Sequence, residues 1–481
     1  MVKKSIHLGH YTIPALLALC TAVGMLVGYR LDEEQLTPGR DAVTVDSISD
    51  VNHGRIEEIL RYIDARYVDN LDKKQLNDRT VDFILQQLDP FSSYISPEYL
   101  QRYEEIISGK QQGLGVELQK IKDEVFIVYV YPDSPAEKAG LAAGQRILEV
   151  NDHDVAEDSV TMKEISILMD AIPEQVTLKI QKEEEIYDVV IEKAEINVNS
   201  VDAYFTIQDT IGYVKLTSFT NKSYKEFMTA LENLGAGEQL NDVIIDLRSN
   251  RGGVLRESVK ILQQLFENGG QVLVYTEGDK NRKQEYKTTG KPFYRFDKIV
   301  VLVNEWSASA SEVVAGAIQD TDRGLVIGTS SYGKGLVQEH YSLKEGGELR
   351  LTVARYYTPS GRLIQKPYAL LESEQITAKD STDYYSTNGR ALTAEGGIVP
   401  DITVNNTHVD DWESLPVELY HLSLKKAIAY AENNATEKDV SHDVEQFITE
   451  LNEQTIADNL PQDLKNTFYQ FSVFNVLKMK Y

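Results

Sequence analysis

Two segments of this chain hold residue types suited to nucleophilic catalysis. The first, Asn304-Glu305-Trp306-Ser307-Ala308-Ser309-Ala310-Ser311-Glu312, follows an apolar strand pattern at 299–303 and precedes an apolar helical pattern. A strand-to-helix turn can hold a nucleophile exposed, with free helix-terminal N–H groups beside it. Ser309-x-x-Glu312 is equally a capping box, which would satisfy those N–H groups without doing any chemistry. Ser307 and Ser311 are as small and polar as Ser309, so spacing alone does not choose among the three.

The second segment is Gly328-Thr329-Ser330-Ser331-Tyr332-Gly333-Lys334-Gly335-Leu336-Val337-Gln338. It approaches a phosphate-binding P-loop, but Gly335 stands where a Ser or Thr should hold magnesium, and no long helical pattern follows. A lysine among glycines has another use. Desolvation lowers its pKa, and the neutral amine then takes a proton from a serine hydroxyl. The amide oxygen of Gln338 would orient that amine without adding a charge that restores its proton. His340 lies close by, but no Gly-x-Ser-x-Gly elbow accompanies it, and His-Glu-x-x-His is absent. No cofactor and no metal are implied.

These segments belong to a stretch from 196 to 409 in which strand patterns alternate with helical ones: strands at 211–216, 243–247, 272–275, 299–303 and 326–327, helices at 224–234, 257–266 and 311–319. Such alternation predicts an α/β core with substantial parallel pairing. Upstream, between 112 and 195, the apolar period changes to two, with strands expected at 116–119, 125–130, 146–150, 177–182 and 187–191 and one helix at 159–171. Residues 46–88 carry apolar residues at helical spacing, broken at Asn70-Leu71-Asp72. This arm must bury its apolar face on the rest of the chain or on a second subunit. From about 410 the pattern is again helical and polar.

The 481 residues, 42% hydrophobic and 26% charged, call for several folded domains, and the formal charge of -26 argues against a nucleic-acid partner. The single cysteine, Cys20, excludes a disulfide framework and a cysteine-rich zinc site within one chain. Cys20 sits in an uncharged apolar run at 11–29, long enough to cross a bilayer as a helix, and Lys3 and Lys4 place the N-terminus inside. A cleaved signal peptide is the rival reading, although no small-x-small site precedes Asp32-Glu33-Glu34. A lipoprotein is disfavoured by Leu19 before Cys20. The expectation is an anchored protein with its catalytic region outside the cytoplasm.

Asn304 through Glu312 with Ala315-Gly316-Ala317 and Asp320, then Gly333-Lys334-Gly335 and Val337-Gln338, resemble the C-terminal processing peptidases, or tail-specific proteases, of bacteria. The resemblance extends over about 50–405 through Gly212-Tyr213-Val214, Ser218-Phe219, Asp246-Leu247-Arg248-Ser249-Asn250, Tyr357-Thr358-Pro359-Ser360-Gly361-Arg362 and Gly397-Ile398-Val399-Pro400-Asp401. Gly113-Leu114-Gly115-Val116, followed by Ser134-Pro135-Ala136 and Ala139-Gly140-Leu141, resembles a PDZ domain and its carboxylate-binding loop.

The resemblance implies a multidomain α/β protein with a ClpP/crotonase-like core: an anchor at 1–36, a helical arm at 37–91, a PDZ domain at 92–195, the peptidase core at 196–409 and a helical tail at 410–481. It makes Ser309 the nucleophile, Lys334 the base and Gln338 the group that orients it. Ala310, Gly252 and Gly253 would supply oxyanion N–H groups. Arg251 departs from the family's usual proline. Substrates would be polypeptides with accessible C-termini, captured by Leu114, Gly115 and Val116 beside Ile165 and Leu168. Lys110 and Arg146 are candidates for a cation near that groove, and a homodimer is expected. Two other classes stay open at this stage: a PDZ adaptor built on a retired enzyme, and an acyl-transfer enzyme for small esters.

Overall fold

Runs of β-branched residues bounded by turns build the strands that carry the candidate segments. The computed structural model describes residues 54–370, 374–375, 383–404 and scattered helical positions between 419 and 449, apart from 122–123, 157–158, 173, 183, 237–239, 345 and 395. The chain forms two units, Met1–Arg79 and Thr80–Tyr481. In the first, α1 (Gly54–Arg66) leads to α2 (Lys73–Gln86), which runs on into the second unit, and the expected break at 70–72 falls between them. Ile56, Ile59 and Tyr62 of α1 are exposed. The apolar run at 11–29 lies outside the described residues, among which no helix is long and apolar enough to cross a membrane.

The second unit begins with β1 (Ser93–Ile95), α3 (Pro97–Ser108) and β2 (Lys110–Gly113). A small antiparallel domain follows: β3 (Val116–Ile121), β4 (Glu124–Val130), α4 (Pro135–Lys138), β5 (Arg146–Val150), β6 (His153–Asp154), α5 (Met162–Asp170), β7 (Gln175–Lys182) and β8 (Glu185–Glu192). Its sheet runs β3-β4-β5-β7-β8, with β6 on β5. Val125, Ile127, Ile147, Ile165, Leu178 and Ile180 are fully buried inside it, as period-two strands with one apolar face require. A capping box starts α5: Glu164 N–H donates to Thr161 Oγ1, and Thr161 N–H donates to Glu164 Oε2 at 2.7 Å. The chain then returns along β9 (Ala194–Asn197), antiparallel to β2, so this domain hangs on a two-strand stem.

The larger core comprises β10 (Val201–Ile207), β11 (Ile211–Leu216), α6 (Ser223–Asn233), β12 (Asp242–Asp246), α7 (Leu255–Gln263), β13 (Gly269–Glu277), β14 (Gln284–Thr289), β15 (Lys298–Val303), α8 (Ala310–Asp320), β16 (Leu325–Gly328), β17 (Leu336–Ser342) and β18 (Glu348–Tyr357). One sheet has the order β10-β11-β12-β15-β16 and ends on the strand Ile402–Thr403. Its pairs are parallel from β11 onward, and β10 is an antiparallel edge. The strand expected at 272–275 does not join it. That segment, as β13, pairs antiparallel with β14 and β18 in a second sheet that also holds β1 and β17. A short apolar run cannot reveal its partner, because pairing is set by contacts remote in sequence.

Candidate active site

Three loops that carry the chemical residues leave the same edge of the parallel sheet, because they follow the C-terminal ends of adjacent strands β12, β15 and β16. Ligand and catalytic groups of open α/β sheets collect at that edge. Hydrogen bonds stitch the loops together. Ala308 N–H donates to Asn250 O at 3.0 Å, Ser249 N–H to Asn304 Oδ1 at 2.7 Å, and Tyr332 N–H to Ser307 O at 2.9 Å.

The three serines of the first loop have different surroundings. Ser307 is buried and its Oγ donates to Leu247 O at 2.8 Å; Ser311 is buried and its Oγ donates to Asn250 O at 2.9 Å. Both tie the serine loop to the neighbouring turn. Ser309 is half-buried at φ 56°, ψ -114°, a backbone conformation that a residue with a side chain adopts only where its surroundings impose it. It sits at the N-terminus of α8, which packs against β15 and β16.

Glu312 has a larger part than a cap. Fully buried, its carboxylate accepts from Ser309 N–H (2.8 Å), Ser331 Oγ (2.6 Å), Gly333 N–H (2.7 Å) and Lys334 N–H (2.8 Å). It thus binds the backbone of the serine turn and of the lysine loop to one group. Burial pushes the Glu312 carboxyl pKa up, against the lowering effect of these donors. The capping pattern was visible in the sequence, but the contacts with 331–334 depend on β15 and β16 being neighbours.

Lys334 is half-buried, and burial, with help from the charge of Arg350, holds its pKa below the usual lysine range; Asp89 and Glu312 act in the opposite sense. Its Nζ lies 4.8 Å from the centroid of the Phe91 ring, and among the described residues it makes no hydrogen bond to Ser309 or Gln338. Gln338 sits in β17 at a register shift against β18, a bulge that re-aims a side chain. Its Nε2 donates to Thr352 Oγ1 at 3.4 Å. The structure therefore joins Ser309 and Lys334 through backbone and Glu312, while Gln338 faces Thr352.

Gly252 and Gly253 have φ of 91° and 138°. A Cβ on Gly252 would stand 2.7 Å from Ala308 O and 2.8 Å from Ser309 Cβ, so this turn touches the serine and must be glycine. Gly252 N–H, expected as an oxyanion donor, is instead donated to Asn250 Oδ1 at 2.9 Å. Asn250 closes a local turn that captures it. Among the described residues, Gly253 and Ala310 remain as the N–H groups of that set without such a bond. The guanidinium of Arg251 lies 5.1 Å over the ring of Trp306, an exposed residue of the serine loop.

In the small domain, Leu114, Gly115, Val116 and Ile165 share the lining of a groove of about 750 Å³. Leu168 falls outside it and packs against the domain core. On α5 the lining stripe is Met162, Ile165, Ser166, Met169 and Asp170, spaced at three, four, seven and eight residues; position 168 is turned away from it. Lys110 and Arg146 also fall outside, paired with Glu195 and Glu124, each at 2.7 Å. The cations in the lining are Arg102 of α3 and Lys193.

An α/β core bearing a strained serine turn, with a groove-forming β domain on a stem, is an architecture that can carry a serine peptidase site beside a separate binding groove. Residues 210–369 match Peptidase family S41, and residues 126–182 match the PDZ domain. The chain is 33% identical over 323 residues to the carboxy-terminal-processing protease of Bartonella bacilliformis, covering 65% of this chain and 72% of that one. It is 28% identical over 366 residues to the Probable CtpA-like serine protease of Staphylococcus aureus (strain N315), covering 75% and 72%. A solved structure of the photosystem II D1 C-terminal processing protease is 24% identical, and the match covers 76% of this chain and 96% of that one at a TM-score of 0.41. The chain belongs to peptidase family S41, the carboxy-terminal-processing serine proteases, and carries a PDZ domain.

Proposed function

We propose that the protein is a Ser–Lys endopeptidase that cleaves polypeptides whose C-terminal tail is held by its PDZ domain. The observation that carries this reading is the fate of the three serines: two are buried and committed, while Ser309 alone combines accessibility with a strained turn beside Lys334. Lys334, in the neutral form that its lowered pKa favours, takes the Ser309 hydroxyl proton as Oγ attacks the scissile carbonyl. The oxyanion draws on the N–H groups of Gly253 and Ala310. Lys334 then returns the proton to the leaving amine, and water, deprotonated by the same lysine, releases the acyl group. To act, the amine swings from Phe91 toward Ser309, and the Gln338 amide turns its oxygen to it; hydrogen bonds of this kind often tighten only with substrate bound.

The groove favours tail capture, since β3 is an edge strand to which an extended peptide could add, and Leu114, Gly115 and Val116, whose N–H groups would hold its carboxylate, line the groove. Amidating the C-terminus of an unstructured substrate is expected to raise KM several-fold with little change in kcat. Equal KM values for free and amidated substrate would remove the tail from the proposal.

The apolar run at 11–29 and the preceding lysines favour a membrane anchor with the peptidase outside the cytoplasm, and the exposed apolar positions of α1 favour a homodimer. Expressed in bacteria, the full chain is expected in the membrane fraction, accessible to protease added to spheroplasts, with a dimer mass after detergent extraction. Recovery in the soluble cytoplasm as a monomer would contradict both.

A further inference from the structure

The proposed base rests on a residue far away in sequence. Phe91 lies in the turn that precedes β1, and its ring is the group that faces Lys334 Nζ, at 4.8 Å. This turn is firmly built. The carboxylate of Asp89, itself buried, accepts from the N–H groups of Phe91 and Ser92, both at 2.8 Å, and from Ser92 Oγ at 2.6 Å. Arg350 Nε donates to Phe91 O at 3.2 Å, and β1 pairs with β18. Ser92 Oγ also accepts from Thr352 N–H at 3.1 Å, and Thr352 Oγ1 is the acceptor for Gln338. One turn therefore touches both the lysine and, through Thr352, the glutamine.

We infer that Phe91 is a positioning residue of the peptidase site: the turn at residues 89–92 holds its ring as the dry wall along which the Lys334 side chain lies. The inference rests on the Ser–Lys reading. A lysine amine is available as a base near neutral pH only where its charged form is denied part of its water, and the Phe91 ring beside it takes the place of water on one side. The charged groups that face Lys334 are Arg350 from β18, Asp89 from the turn and Glu312 from α8. A substitution at Phe91 removes none of these charges, and the bonds of Asp89 and Arg350 to residue 91 are to its backbone, which every variant keeps. A change in the behaviour of the amine would then report the wall itself.

The test uses the full-length chain and an unstructured polypeptide, with kcat, KM and the pH dependence of kcat/KM measured for Phe91→Ala, Phe91→Leu and Phe91→Asn. Phe91→Ala is expected to lower kcat about 10- to 100-fold, at most the low end of the roughly 10²- to 10⁴-fold that general-base catalysis supplies, with KM within about 2-fold. Water reaching the amine should also move the acid limb to higher pH. Phe91→Leu should restore most of kcat and return the limb, because it rebuilds an apolar wall without a π face. Phe91→Asn, close to leucine in size but polar, should resemble alanine, and the Leu and Asn pair decides the matter if the alanine variant does not fold. Unchanged kcat and acid limb in Phe91→Ala, a change in KM alone, or equal behaviour of the Leu and Asn variants would each overturn the inference. Lys334→Ala separates the two levels: if it cleaves like wild type the Ser–Lys reading fails, whereas an inactive Lys334→Ala beside a wild-type-like Phe91→Ala overturns only the role of Phe91.

Discussion

Ser309→Ala and Lys334→Ala are each expected to lower kcat/KM for an unfolded polypeptide by about 10⁴-fold or more, the scale on which loss of a nucleophile or its base is felt. Neither should cost the fold much. Among the described residues the Lys334 amine makes no hydrogen bond, and burying it works against stability. The sign follows from its lowered pKa. Below the folded pKa the folded state carries the full penalty of holding a buried cation; the penalty fades as pH rises toward the pKa of the unfolded chain. Lys334→Met should therefore unfold no earlier than wild type at neutral pH. In the wild type, activity should rise with pH along a limb set by the fraction of neutral amine, at a pH below the ordinary lysine range of about 10.4. Wild-type turnover by purified Ser309→Ala, or a limb at the ordinary lysine position, would refute the mechanism.

The second large effect is expected at Glu312. Its carboxylate gathers four donors from the serine turn and the lysine loop. Glu312→Ala leaves those donors facing a cavity, and each buried donor left unsatisfied costs roughly 1–3 kcal/mol. Denaturant unfolding should show that loss as a lower midpoint with an unchanged slope. Activity should fall as well, since the backbone of Ser309 and of Lys334 would no longer share an anchor. Glu312→Gln keeps the volume but turns an NH₂ toward groups that are themselves donors, so it should recover only part of the loss. A variant as stable and active as wild type would mean that the loops are held by the other bonds between them.

Much of this architecture was legible along the chain. The strand expected at 211–216 is β11 to the residue, and those at 125–130 and 146–150 match β4 and β5 to within a residue. Alternating apolar residues can pack only one way on a half-buried sheet, so these segments specify themselves. The motifs around Asp320 and Asp401 were also visible, but their role was not. Asp320 pairs with buried Arg362, and Asp401 accepts from Val326 N–H at 2.8 Å and from Gln319, so both brace the core.

Local pattern determined many of the strands, though not 201–207, 284–289, 336–342 or 348–357, and that a serine and a lysine stand on turns after strands; the PDZ-like loop was read from its resemblance to that family. Which of three serines is free, which glycine N–H is already taken, and why Leu168 leaves the groove that Ile165 lines were decided by the fold. Each depends on a partner supplied by another strand or helix face. The contact of Phe91 with Lys334 has no trace in either segment, because it exists only once β1 has paired with β18 and brought two turns distant in sequence together.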